Sequence, residues 1–99
     1  MSSLADFQAS VADPEPPAGL SVPLTALWWS AKGDWDRAHR LVQDDGGKDA
    51  AWVHAYLHRV EGDLANAGYW YRRAGRDRCD ADLAAEWAEI AAALLDDAR

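Results

Sequence analysis

The chain has 99 residues, 49% of them hydrophobic, with six tryptophans, three tyrosines and a formal net charge of −7. That is one domain's length, with a modest core to which aromatics burying roughly 150–250 Å² each would contribute heavily. Charge is uneven, at −4 over residues 1–47, +2 over 48–78 and −5 over 80–99, and the acidic total argues against generic nucleic-acid binding, which neutralises many phosphates. The single cysteine, Cys79, has no intrachain partner and suits a reducing compartment. The first residues lack the basic and apolar runs of a secretory signal. The most apolar stretch, Leu83 to Leu95, is interrupted by Glu86 and Glu89 and cannot span a bilayer. A cytoplasmic protein without membrane contact is the expectation.

Residues 1–22 read as an N-terminal tail and Pro-rich linker. Leu4, Phe7 and Val11 recur at helical spacing, and the run Asp13-Pro14-Glu15-Pro16-Pro17 ends any helix there. A single helical domain is expected over residues 23–99. Its first helix opens at Pro23, in a position where the missing N–H costs nothing, and stops at Gly33. Asp34 caps the next helix, whose inner face carries Trp35, Ala38, Leu41 and Val42. Asp44-Asp45-Gly46-Gly47 is a turn. Asp49 is placed as the cap of a third helix running to Glu61, with Trp52, Val53, Tyr56, Leu57 and Val60 on its apolar face. Gly62 breaks that helix and Asp63 caps a fourth, ending at Gly75, with Leu64, Ala67, Trp70, Tyr71 and Ala74 inward. Asp80 is placed as the cap of a fifth, where Leu83, Trp87, Ile90 and Leu94 face inward and Asp82, Glu86 and Glu89 face solvent. No segment alternates with period two and β-branched enrichment, so the predicted class is all-α with about five helices.

Lys32-Gly33-Asp34-Trp35-Asp36-Arg37-Ala38 is echoed 29 residues later by Glu61-Gly62-Asp63-Leu64-Ala65-Asn66-Ala67. In both, glycine permits a tight turn, aspartate caps the following helix, and alanine lets two helix backbones approach. Two antiparallel hairpins follow, with the last helix as a cap and Trp87 covering the open end. The pattern resembles tetratricopeptide-type and Sel1-type helical hairpins, in which G-D-[aromatic/Leu]-x-x-A opens the second helix. Ala38-His39-Arg40-Leu41-Val42-Gln43 and the run from His54 through Gly75 are also similar to a group of small bacterial proteins of unassigned activity. The tetratricopeptide resemblance implies binding of a protein or peptide, or self-association.

His54, His58 and Glu61 form the sharpest chemical pattern. Positions i, i+4 and i+7 lie within a roughly 60° arc of one helix. Two imidazoles one turn apart can take a divalent metal, with a carboxylate as third ligand. His39 and Gln43 have the same spacing one helix earlier. The plainer reading is a polar rim, because the zinc-protease signature requires Glu after the first His and Ala55 stands there. Tyr69 through Arg73, with Arg76 and Arg78, offers arginines among aromatics for a phosphate or base, although arginines in a last helical turn also complement the helix dipole. Trp28 and Trp29 point about 100° apart, so either the helix is wrapped on two sides or one ring faces a partner.

The expected function is therefore a small helical interaction module, with His39, His54, His58, Glu61, Trp28, Trp29, Tyr69 and Arg73 as its contact residues. No cofactor, metal or catalytic residue is assigned. The rival reading is a small enzyme or metal-binding protein built on the His/Glu cluster of the third helix.

Overall fold

The computed structural model describes residues 3–97. Six helices follow one another: α1 Leu4–Ser10, α2 Val22–Ala31, α3 Trp35–Gln43, α4 Lys48–Glu61, α5 Leu64–Ala74 and α6 Leu83–Asp97. The described residues contain no strand, and no helix among them is long and apolar enough to cross a membrane. The all-α expectation is met, with α1 as the helix beyond the five.

The hairpins α2–α3 and α4–α5 are made by the repeated turn. Gly33 and Gly62 sit at φ 86° and 87°, in the left-handed region that an L side chain rarely enters. The aspartate after each closes the next helix: Asp34 Oδ1 accepts from the N–H of Arg37, and Asp63 Oδ1 from that of Asn66, both at 3.1 Å. Two other caps differ from expectation. Gly47 caps α4 without a side-chain bond, and Asp49 lies in the first turn, where it complements the dipole. Helix α6 starts at Leu83, three residues after Asp80. Its first bond runs from Glu86 N–H to the Asp82 carbonyl, so Asp82 occupies the cap.

The core joins Leu24, Leu27 and Trp28 of α2, Val53 and Leu57 of α4, Tyr71 of α5, and Ile90 and Leu94 of α6. Trp87 closes one end as expected, its indole N–H donating to the Leu27 carbonyl at 2.9 Å. Phe7 of α1 is fully buried and stacks on Trp87 at 5.4 Å between centroids. The Trp28 indole N–H donates to Ser10 Oγ, and Lys32 Nζ donates to the carbonyls of Val11 and Asp13. The N-terminal segment is thus docked through Phe7, Ser10 and the carbonyls of Val11 and Asp13.

Four apolar or acidic positions lie on the other side of the surface from the one expected. Leu64 is 59% exposed, because it is the first residue of α5 and projects beyond the packed part of the hairpin; Val60 and Leu83, also near helix ends, are exposed too. Glu86 is 1% exposed and not in solvent. It precedes Ile90 by one turn on the core side of α6, and two partners come to meet it. Tyr71 O–H donates to Oε2 at 2.5 Å and Arg59 Nη1 donates to Oε1 at 2.6 Å. Arg59 Nη2 also donates to the Ala81 carbonyl. One carboxylate thereby ties α4, α5 and α6 together. Burial, reinforced by Glu86, raises the Tyr71 phenol well above its ordinary range, so Tyr71 stays a donor.

Candidate functional site

All three histidines meet where α3 crosses α4. His39 Nε2 lies 3.0 Å from His54 Nε2. His54 and His58, one turn apart on α4, stack at 4.9 Å with 23° between their planes. His39 meets both rings edge-on, at 4.7 and 5.5 Å. One ring nitrogen from each of the three falls within 4.8 Å of the other two. The local cause is the packing of the first hairpin on the second: Ala38, fully buried, lets α3 approach α4 closely enough for His39 to reach across.

Two tryptophans hold the imidazoles from outside. Trp35, four residues before His39 on the same helical face, stacks on it at 4.7 Å and 10°, and its N–H is anchored to the Leu57 carbonyl at 2.7 Å. Trp70 of α5 stacks on His54 at 3.8 Å and 15°. By sequence both belong to inward faces, as core residues. The i, i+4 spacing of Trp35 and His39 is a sequence signal for the first stack. The second joins residues sixteen apart on different helices, for which no sequence signal exists.

His58 Nδ1 lies 2.6 Å from Glu61 Oε1. The carboxylate can only accept, so Nδ1 is the donor in this contact. His54 is different. It is 3% exposed and its Nδ1 has no hydrogen-bond partner. A buried, unsatisfied N–H costs more than a bare lone pair, so in the metal-free protein His54 donates from Nε2 to His39. Burial lowers the His54 pKa to about 4, helped by the neighbouring His39 and His58. Burial and His58 also lower that of His39, against the opposing pull of Glu61 and Asp36. Both shifts favour neutral rings at His39 and His54, the form that binds metal.

The remaining sequence candidates divide. Tyr69 and Arg73 adjoin the cluster through Trp70: Tyr69 meets that ring edge-on, and Arg73 lies over it at 5.3 Å while donating to Tyr69 Oη. Trp28 is fully buried in the core and is corrected from contact residue to packing residue. Trp29 is half-buried and covered by Arg37 at 4.2 Å. Helix α2 is wrapped on two sides, which accounts for its tandem tryptophans. The arginines offered for phosphate also have packing partners, since Arg76 lies 3.4 Å over Trp52 and Arg78 runs across Gly68. Two further acidic residues were assigned a lesser part by sequence. Asp63 stands within 4.8 Å of a donor atom on both His58 and Glu61, and Glu86 has the structural part described above.

In comparison with known proteins, the chain matches no family model, no curated protein and no solved structure.

Proposed function

We propose that this protein binds a divalent transition-metal ion, with zinc as the reference case, through His39, His54 and His58. The observation that carries the reading is the convergence of three imidazole nitrogens from two helices to within 4.8 Å of one another. Tetrahedral zinc with Zn–N bonds of about 2.0–2.1 Å places its nitrogens about 3.3 Å apart. The 3.0 Å His39–His54 separation is already close to that value, and small side-chain rotations bring the third nitrogen in. Imidazole ligands suit zinc, copper and nickel rather than magnesium or calcium. Ligating histidines commonly donate their second nitrogen to a carboxylate, and His58 does so to Glu61. His54 lacks such a partner: ligation through Nε2 places its proton on the unpartnered Nδ1, a cost the metal bond must exceed, and the ring is oriented by its stack between Trp70 and His58. Three protein ligands leave a fourth position for water or a ligand.

Dialysis of the untagged protein against zinc at pH 7.5 is expected to give one ion per chain. His58→Ala is expected to weaken binding by roughly 100-fold or more, at least the upper range for losing a mere outer partner of a ligand. Substoichiometric zinc, unchanged by His58→Ala, would falsify the reading.

A second reading, a helical module that docks a protein or peptide or self-associates, is supported by the exposure of Val60, Leu64 and Tyr69 at 40%, 59% and 43% on the α4–α5 hairpin. Metal binding is compatible with it. A reducing cytoplasm, suited to the free Cys79, is the compartment we propose for either.

A further inference from the structure

We infer that His58, Glu61 and Asp63 form an outer cation site through which the three-histidine centre is loaded. The inference rests on the metal-binding reading and names the route to that site. A donor atom from each of these three residues lies within 4.8 Å of the others, and His58 belongs to both sets. Burial follows the same order, from exposed Asp63 and Glu61 to His58 at 5% and His54 at 3%.

The hairpin turn builds the outer set. Gly62, at φ 87°, reverses the chain so that the last residue of α4 and the cap of α5 flank one point. Asp63 uses Oδ1 on the Asn66 N–H, which leaves its second oxygen outside that bond. No lysine or arginine forms an ion pair with either carboxylate among the described residues. Arg59, the nearest arginine in sequence, is committed to Glu86 and the Ala81 carbonyl. The mouth therefore carries two exposed carboxylates without a lysine or arginine partner beside a buried imidazole.

A hydrated divalent ion suits carboxylates first, because oxygen ligands and retained waters demand little dehydration. His58, which belongs to both sets, is the ligand that passes the ion inward. Magnesium and calcium can occupy the mouth but gain little from imidazole, so the exchange step favours transition metals.

Asp63→Asn separates loading from holding, because asparagine caps a helix about as well as aspartate. Zinc uptake by the metal-free full chain can be followed by stopped-flow tryptophan fluorescence, since Trp35 and Trp70 stack on His39 and His54. Removing one steering charge should slow association by about threefold to tenfold and flatten its dependence on salt. Release should slow in step, leaving the equilibrium affinity within about twofold of the parent chain. An unchanged association rate would overturn the inference. So would a slower association with unchanged release, which would make Asp63 a holding ligand. If the parent chain takes up no zinc, the three-histidine reading fails first and this route with it.

Discussion

Replacing Glu86 by alanine is expected to lower the unfolding free energy by about 3–5 kcal/mol, the usual cost of removing one member of a buried ion pair. The carboxylate is 1% exposed and holds both Tyr71 and Arg59. Its removal strands the Arg59 guanidinium, whose side chain is only 13% exposed, and orphans a buried phenol. Against a total of about 5–15 kcal/mol for a natural domain, that loss is a large fraction. Glu89→Ala, three residues later on the same helix, is the control and should stay within about 0.5 kcal/mol. Urea denaturation measures both. Equal midpoints for the two variants would mean that the Glu86 network contributes nothing net. The double change Glu86→Leu, Arg59→Met should recover much of the loss, because replacing both charges leaves none unpaired.

The metal-free protein should lose stability as pH falls from about 6.5 towards about 4. The sign follows from the direction of the His54 shift. Its folded pKa of about 4 lies below the ordinary 6.5, so the unfolded chain takes the proton first and stability rises with pH in that window. The contribution is complete above about 6.5 and gone below about 4. Its size is on the order of 3 kcal/mol, from a little over two pKa units at 1.36 kcal/mol each. His39, shifted in the same direction, adds to it. The check is the urea midpoint at pH 7.5, 6 and 5 with chelator present, for the parent chain and His54→Phe. The parent should show the steeper decline, since carboxylate titration is common to both; parallel curves would remove His54 as the cause. Zinc, which binds the neutral rings, should steepen the parent's pH dependence further.

Much of the fold was legible because it depends on short-range chemistry. The Gly33-Asp34 and Gly62-Asp63 turns are local: a left-handed glycine and a side-chain cap need no distant partner, and both stand as read. That His54, His58 and Glu61 share one helical face was equally legible, but the three do not form one set: Glu61 groups with His58 and Asp63, and His54 with His39 and His58. His39 stood out by its spacing to Gln43 one helix earlier, and the close approach of α3 to α4 brings it to 3.0 Å from His54. What escaped the sequence depends on long-range partners. Glu86 reads as a solvent acid until Arg59 and Tyr71 arrive from two other helices. Trp70 reads as core until His54 is seen lying flat against it. Leu64 shows the opposite error, where an apolar residue in the right register falls just beyond the end of the packed surface. Trp28 and Trp29 divide for a similar reason, because α2 is covered on one side by the core and on the other by Arg37.

The central claim is that three imidazoles hold one ion at the α3–α4 contact. Zinc K-edge X-ray absorption on the protein loaded with one equivalent tests it most directly. The expected result is a four-coordinate shell of nitrogen and oxygen at about 2.0–2.1 Å, with outer-shell scattering from three imidazole rings that falls to two in His39→Ala. A six-coordinate shell of oxygen alone, or imidazole scattering indifferent to His39, His54 and His58, would contradict it.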